Sequence, residues 1–85
     1  MFYTYILYSE KLKGYYIGFT STSPQLRLVK HLQATKGHTA KAKDWVLVHI
    51  ESFDTKQAAM AREKELKSWK SKERIFKLIT ASSTE

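Results

Sequence analysis

The sequence contains no cysteine, a single proline and three glycines, and none of its apolar runs is long. Without cysteine, neither a disulfide framework nor a cysteine-ligated zinc site is available, and nothing indicates secretion. No apolar stretch approaches the roughly 18 residues that a membrane helix needs, and the first residues lack the basic region of a signal peptide. We therefore expect a soluble, cytoplasmic protein that has no membrane as a partner.

Acidic residues are also scarce: the chain has 8 of them against 15 lysines and arginines, so its net charge is +7 and its pI about 9.7. That balance favours a polyanion such as nucleic acid as the partner, although small basic domains also bind anionic membranes and ribosomes. At 85 residues, of which 42% are hydrophobic, the chain is long enough for one small core and too apolar to be disordered. We expect a single domain over residues 1–79 and a polar tail, residues 80–85, that frays.

Aromatic and β-branched residues are concentrated in two neighbouring segments near the start of the chain, Phe2–Tyr8 and Tyr15–Thr20. The connection between them is polar and ends at a glycine, so the pair predicts a β-hairpin. A helix is predicted from Pro24 to about Ala34, because Ser23 can cap it and proline suits its first turn. The apolar stripe of this helix comprises Leu26, Leu28, Val29 and Leu32.

The middle of the chain is predicted to be a loop followed by a strand. Thr35–Lys43 is polar and rich in lysine, so we predict a mobile loop that buries little. Trp45–Phe53 is dense in β-branched and aromatic residues and predicts a third strand. Strict alternation along that strand places Val46, Val48 and Ile50 on the face opposite Trp45, Leu47 and His49.

Two helices are predicted after the third strand. Asp54 and Gln57 have the spacing of a capping box and open a helix that continues through Trp69. Ser71 is the expected cap of a last, short helix. The apolar residues of that helix are Ile75, Phe76, Leu78 and Ile79.

Arg27 and His31 are four positions apart, so their side chains lie together on one side of the first predicted helix. A guanidinium fork suits the oxygens of a phosphate, and a histidine beside it can bond an attacking water or a phosphate oxygen. From the spacing alone, the commoner interpretation is a solvated helix face, away from the centre of the apolar stripe. The pair is a candidate phosphate site with an ordinary structural alternative.

Tyr5 and Tyr16 lie on the two strands of the predicted hairpin, and Gly18 lies within the second. Most strand tyrosines are packing residues, and position alone favours that interpretation for both. A phenol takes part in proton transfer near neutral pH only beside a cation or a metal-bound water, since its ordinary pKa is about 10. Glycine weakens a strand, so Gly18 indicates that a ligand or another backbone approaches closely.

Glu63 is an anomaly, because the spacing of its predicted helix places this carboxylate along the inward stripe. A salt bridge with Lys67, four residues further on, is the commoner explanation. The alternative is a metal site, since Mg²⁺ keeps most of its waters and uses few protein carboxylates besides substrate phosphates. The histidines His31, His38 and His49 lack the compact spacing of a zinc site.

Taken in order, these residues resemble the GIY-YIG nuclease family, particularly its small single-domain members. Tyr5 corresponds to the tyrosine of the GIY strand, and the sequence from Tyr16 to Gly18 is the YIG strand. Arg27 and His31 repeat the four-residue spacing of the family. The third strand and the segment Ala61–Trp69 are similar to the family's third strand and glutamate helix, so the resemblance extends from Phe2 to about Ile79. The departures are Tyr3 and Thr4 in place of Gly and Ile, and Leu32 where an asparagine often follows the histidine.

The resemblance implies an α/β (α+β) fold, a three-stranded antiparallel sheet flanked by helices in the order β-β-α-β-α-α. It also implies phosphodiester hydrolysis that depends on a single divalent ion, Mg²⁺ or Mn²⁺. In that scheme Glu63 would hold the metal, Arg27 would stabilise the scissile phosphate and Tyr5 would be the general base. Tyr16 and His31 would position water and phosphate by hydrogen bonds.

The leading hypothesis is therefore an endonuclease that cleaves DNA. One alternative is a nucleic-acid-binding module of the same fold with negligible turnover, and a less favoured one is a protein-interaction domain whose charge serves solubility. Cleavage separates the enzyme from the module, and salt-dependent binding separates the module from the interaction domain. The candidate nucleic-acid contacts are Lys36, Lys41, Lys43, Lys67, Lys70 and Lys72.

Overall fold

A computed structural model describes residues 1–83 of the chain. It confirms an α+β domain with the predicted order of strands and helices, to which it adds one 3-10 turn. In chain order the elements are β1 (Phe2–Ser9), β2 (Gly14–Thr20), α1 (Pro24–Leu32), the 3-10 turn (His38–Lys41), β3 (Val46–Phe53), α2 (Lys56–Trp69) and α3 (Lys72–Ser83).

The three strands form one antiparallel sheet in the order β2-β1-β3, so β1 is central and β2 and β3 are the edges. Tyr5 of β1 stands opposite Gly18 of β2 and Ile50 of β3. The central strand carries the most buried residues of the sheet, because both of its faces are covered by helices. Its buried side chains are Thr4, Tyr5, Ile6, Leu7 and Ser9.

Each face of the sheet has its own core. On one face, under α1 and the 3-10 turn, Tyr5 and Leu7 pack with Trp45. On the other face, Ile6 packs with Leu66 of α2 and with a buried isoleucine of α3. Residues that alternate along β1 therefore stabilise two separate layers of helices, as expected for a strand that is buried on both sides.

The predicted alternation along β3 is wrong, because the strand contains a β-bulge. Ile6 is paired with His49, but the next residue of β1 is paired with Leu47, so Val48 is the extra residue. Leu47 packs in the core that contains Trp45, whereas Val48 packs in the core that contains Ile6. The bulge therefore places Leu47 and His49 on opposite faces of the sheet.

The apolar stripe predicted for α1 is also wrong in part. Leu26 and Val29 are exposed, at 59% and 48%, whereas His31 is buried. The helix is turned so that His31, rather than Val29, lies against the sheet. Ser23 caps the helix as predicted, since its Oγ accepts a hydrogen bond from the Gln25 amide at 3.1 Å. The helix ends at Leu32, two residues before the predicted end.

The segment predicted to be a loop that buries little contains the 3-10 turn and two buried residues, Thr39 and Ala42. Most of the segment is exposed, as predicted, but Trp45 holds the 3-10 turn against the sheet: its Nε1 donates a hydrogen bond to the Thr39 carbonyl at 3.0 Å. Contrary to the prediction, Asp54 is not the cap of α2. Thr55 caps it, and its hydroxyl oxygen accepts a hydrogen bond from the Ala58 amide at 3.1 Å.

The last helix begins as predicted, with the Ser71 hydroxyl accepting a hydrogen bond from the Arg74 amide at 3.2 Å. It continues to Ser83, past the predicted domain boundary at residue 79, and the Thr80 hydroxyl donates to the Phe76 carbonyl. Of the tail that was expected to fray, residues 84 and 85 lie outside the described residues. None of the helices between residues 1 and 83 is long and apolar enough to cross a membrane.

Candidate active site

Four of the five predicted catalytic residues come together next to the edge strand β2. The Tyr5 hydroxyl lies 2.8 Å from His31 Nε2, and the Tyr16 ring packs on the His31 ring with 4.7 Å between the ring centres. Arg27, one turn before His31 on α1, interacts with the Tyr5 hydroxyl by hydrogen bonding and by its charge. Two strands and one helix therefore place two phenols, an imidazole and a guanidinium in one cluster.

Gly18 is the residue that makes this arrangement possible. Because Gly18 stands directly opposite Tyr5 in the sheet, the tyrosine ring lies over it. A Cβ atom at position 18 would lie 2.6 Å from the Tyr5 hydroxyl oxygen and 2.8 Å from the ring carbon that bears it. The close approach expected from a glycine within a strand is confirmed, but the neighbour is the phenol side chain of Tyr5 and not the predicted ligand or backbone.

His31 is held in the interior between two hydroxyl groups. Nε2 meets the Tyr5 hydroxyl, and Nδ1 lies 3.1 Å from the Thr39 hydroxyl. The residue is only 7% exposed, so the interpretation of Arg27 and His31 as a solvated helix face is wrong. Burial, and then the positive charge of Arg27, lowers the pKa of His31 from its ordinary 6.5. The imidazole is therefore neutral at pH 7 and one of its nitrogens is free to accept a proton.

The environment of Tyr5 has the opposite effect on its hydroxyl. Burial raises the pKa of Tyr5 above its ordinary 10, and the hydrogen bond and charge of Arg27 offset only part of this increase. The neighbouring Tyr16 and the negative charge of Glu63 raise the pKa further. Tyr5 therefore keeps its proton at neutral pH, and any role as a base requires that it pass this proton on.

Thr39 and His38 belong to this neighbourhood, although sequence reasoning identified neither of them as part of a site. Thr39 bonds His31, and its carbonyl is held by Trp45. His38 is exposed, and its ring lies almost parallel to that of Tyr16, at 19° with 6.1 Å between the centres. The one sequence signal was Trp45, a large side chain that anchors a segment otherwise typical of a polar loop.

Glu63 lies on α2, which packs on the other face of the sheet, and among the described contacts only its charge links it to the cluster, through the pKa of Tyr5. Its side chain is 20% exposed, and the Lys67 ammonium donates to it at 3.0 Å, so the predicted helix salt bridge is present. Between residues 1 and 83, no group of three or more histidine, aspartate or glutamate side chains is arranged to hold a metal ion. A partly buried, single carboxylate fits an ion such as Mg²⁺, which is held by one or two carboxylates, water and substrate phosphate, and does not fit zinc.

Two cavities flank the cluster along β2. The first, of about 390 Å³, is lined by Arg27 together with Lys30, Lys56 and the hydroxyl-bearing Thr20 and Thr22. Sequence reasoning missed both of these lysines, because their proximity depends on the docking of α1 and α2 on the sheet. A second, of about 550 Å³, is lined by Tyr16, His38 and three of the predicted nucleic-acid contacts, Lys67, Lys70 and Lys72.

The other three predicted lysine contacts lie on the segment around the 3-10 turn. Lys36 and Lys41 are exposed. Lys43 is exposed as well, but its ammonium bonds the Ala34 carbonyl and so ties the end of α1 to the segment before β3. Among the described hydrogen bonds, Lys43 therefore makes a structural contact of a kind that Lys36 and Lys41 do not make.

A small α+β domain with tyrosine, histidine and arginine clustered at a sheet edge has the features that the resemblance implied. Comparison with known families agrees: the model of the GIY-YIG catalytic domain matches residues 1–77 of the 85-residue chain. The chain therefore belongs to the GIY-YIG family of nucleases, which act on nucleic acid and generally depend on a divalent metal. No curated protein and no solved structure matched it.

We predict that Gly18→Ala destabilises the fold and disrupts the bond between Tyr5 and His31. Tyr5 is 1% exposed, so its ring has no free space into which it can move away from the new methyl group. Overpacking of this kind costs about 1–3 kcal/mol, which urea unfolding measures. The ¹⁵N shifts of the His31 ring report the hydrogen bond.

Gly14→Ala is the matched control, because a Cβ there meets only the Leu12 carbonyl oxygen, at an ordinary 3.7 Å. We expect it to change the free energy of unfolding by no more than about 0.5 kcal/mol. Equal stability of the two variants would contradict the close packing of Tyr5 on Gly18.

Proposed function

We propose that this protein is an endonuclease that hydrolyses phosphodiester bonds in DNA with the help of a single divalent ion, Mg²⁺ or Mn²⁺. The observation that carries the proposal is the buried hydrogen bond between Tyr5 and His31, formed beside Arg27 in a chain of a nuclease family. A buried imidazole with a lowered pKa, a phenol and a guanidinium are the groups that proton transfer to and from a phosphodiester requires.

Arg27 is the group that binds and stabilises the scissile phosphate. It is half-buried and lines the cavity that also contains Lys30 and Lys56, so a phosphate there meets three positive charges. A guanidinium offers two parallel hydrogen bonds to the phosphate oxygens, and it opposes the negative charge that develops in the transition state.

Tyr5 and His31 together act as the base. The attacking water gives a proton to the Tyr5 hydroxyl oxygen while Tyr5 gives its own proton to His31 Nε2, which leaves hydroxide character on the water and a positive charge on the imidazole. In this scheme Thr39 fixes the tautomer needed for the transfer, because its hydroxyl oxygen accepts a hydrogen bond from Nδ1–H and leaves Nε2 as the acceptor. Tyr16, packed on His31, positions the water and the phosphate from the β2 side.

Glu63 is the residue that would hold the metal, with water and the substrate phosphate as the remaining ligands. When bound, the ion supplies Lewis-acid stabilisation of the phosphate charge. The bond from Lys67 to Glu63 is the observation that favours the alternative, a nucleic-acid-binding module without turnover, because an ammonium occupies the carboxylate. Lys67 is half exposed, so the ion pair is worth about 0.3–0.5 kcal/mol and a divalent ion can displace the lysine.

We expect the single-turnover cleavage rate to be level at neutral pH and to fall as the pH drops below about 6.5, because His31 must be neutral to accept the proton. The buried imidazole has a lowered pKa, so the decrease begins below the ordinary value of 6.5 for histidine. A rate that instead rises steadily toward pH 10 would identify a titrating tyrosine as the base and contradict the role of His31.

Arg27→Ala should abolish cleavage and leave the protein folded, since Arg27 is half-buried at a cavity wall and outside both cores. Arg27→Lys should recover little activity, because an ammonium lacks the planar fork. Lys30→Ala is the control: it removes a charge from the same cavity, and we expect weaker binding with cleavage retained. Loss of stability in Arg27→Ala comparable to that of a core truncation such as Leu66→Ala would show that Arg27 is structural.

Glu63→Gln tests the metal and, with it, the choice between enzyme and binding module. We expect the variant to bind DNA and to lose the cleavage that the wild type shows with Mg²⁺ on labelled duplex, flap and branched DNA. Titration with Mn²⁺ should broaden the amide signals near Glu63 and Tyr5 first in the wild type, and this selectivity should disappear in the variant. Full cleavage by Glu63→Gln would exclude the single-metal site, and salt-dependent binding without cleavage by the wild type would favour the module.

A further inference from the structure

The larger of the two cavities combines apolar walls with lysines, and the proposed cleavage mechanism does not account for this combination. We call it the lysine groove: it lies between β2 and the junction of α2 with α3, and its volume is about 550 Å³. Its apolar walls include Tyr15, Leu66 and Ile75, and Lys67, Lys70 and Lys72 also line it. It shares Tyr16 and His38 with the neighbourhood of the active site, so it begins where the catalytic cluster ends.

The combination of apolar walls and exposed ammonium groups fits a nucleotide whose base is unpaired. Aromatic and apolar side chains stabilise the face of a base by stacking, and lysines stabilise the phosphates on either side of it. A continuous duplex offers phosphates and the edges of its bases, but its base faces are stacked on one another and unavailable. An apolar groove beside the cluster therefore contributes to binding only where the strand is unpaired.

His38 provides the exposed ring that such stacking requires. It is exposed and nearly parallel to Tyr16, with 6.1 Å between the ring centres. The two rings line the groove, and Tyr16 also packs on His31, so a base that stacks on them lies beside the catalytic cluster. Residues of β2 line both this groove and the cavity that contains Arg27.

Lys70 supplies an independent observation. It terminates α2 in the left-handed conformation, with φ 51° and ψ 36°, a position at which glycine is the favoured residue. Lys13, in the turn that precedes β2, also has a positive φ of 53°, and its carbonyl accepts a hydrogen bond from Lys72. Lys70 keeps an unfavourable backbone conformation at the wall of the groove. Binding of a phosphate by its ammonium group would explain why a lysine occupies this position.

We propose that the lysine groove binds an unpaired nucleotide beside the catalytic cluster, so that the substrate is a single strand or the single-stranded part of a branched nucleic acid. The inference rests on the proposed function for the position of the cleaved bond. It rests on the groove alone for the preference between paired and unpaired strands.

Equilibrium binding without metal tests the groove separately from catalysis. Fluorescence anisotropy compares a labelled 15-nucleotide dT strand, the matching rU strand, a 15-base-pair duplex and the same duplex with a dT flap. We expect both free strands and the flap to bind more tightly than the duplex at the same salt concentration. A preference for rU over dT would assign the groove to RNA, whereas equal or tighter binding of the plain duplex would overturn the proposal.

Two groove variants and one control locate the binding. His38→Ala should weaken single-strand binding by about five-fold or more, the effect of losing one base stack, and leave duplex binding unchanged. Lys70→Gly should keep or raise the melting temperature, since glycine suits that conformation, yet weaken single-strand binding and flatten its salt slope by about 0.7. Lys77→Ala removes an exposed charge from α3 outside the groove and should change neither quantity.

The outcomes separate the two proposals. If the Lys70→Gly and His38→Ala variants bind single strands as tightly as the Lys77→Ala control, the proposed nucleotide site in the groove is wrong. This conclusion does not depend on what the protein cleaves. Failure of the wild type to cleave any substrate with Mg²⁺ or Mn²⁺ would overturn the nuclease mechanism and leave the binding result intact.

Discussion

The hydrogen bond between the Tyr5 hydroxyl and His31 Nε2 determines much of the remaining structure. For the two groups to meet at 2.8 Å, the tyrosine ring must lie over β2, which requires a residue without a side chain at position 18. The histidine must also face the sheet, which turns α1 and leaves Leu26 and Val29 exposed to solvent. The fold thus gives up apolar burial on α1 in order to place a polar side chain in its interior.

Polar groups in such an interior are stable only when they are hydrogen-bonded. In the part of the chain that the structure describes, no buried side-chain nitrogen or oxygen lacks a partner. Thr4, buried on the face opposite to Tyr5, donates to the Ala59 carbonyl at 2.7 Å. Near the hairpin turn, Asp44 accepts hydrogen bonds from Ser9 and from the Lys11 amide, which fixes β1 to the segment before β3. The sheet is therefore joined to its surroundings by directional bonds as well as by apolar packing.

Local signals in the sequence predicted the elements well, because strand composition, helix spacing and caps act over a few residues. The hairpin, the third strand, the three helices and the caps at Ser23 and Ser71 were within reach of such reasoning, and the 3-10 turn was not. What the sequence could not show is which way each element faces once it is packed. The bulge at Val48 depends on the partner strand, and the burial of His31 depends on a tyrosine 26 positions earlier.

In the candidate site, too, some residues could be predicted from local sequence and others depend on how the elements pack. Type and spacing made Tyr5, Tyr16, Arg27 and His31 candidates but alone favoured structural roles, and the resemblance to the family assigned them to one site. The structure brings the four residues together. Thr39 could not be named, since its segment is polar and only the bond from Trp45 reveals that the turn is packed. Glu63 was ambiguous by spacing and carries the helix salt bridge in the structure, so its role toward a metal stays a prediction.

The route from Tyr5 through His31 and Thr39 to Trp45 joins residues that are far apart in the sequence: a strand at the start of the chain, the first helix, the 3-10 turn and the residue before the last strand. No fragment shorter than this span contains the whole route, and its first step joins residues that are 26 positions apart. Because Tyr5 lies on the central strand, loss of the sheet removes the cluster entirely. The chemistry of the cluster is thus coupled to cooperative folding: a nascent or partly unfolded chain keeps its positive charge but has no assembled site.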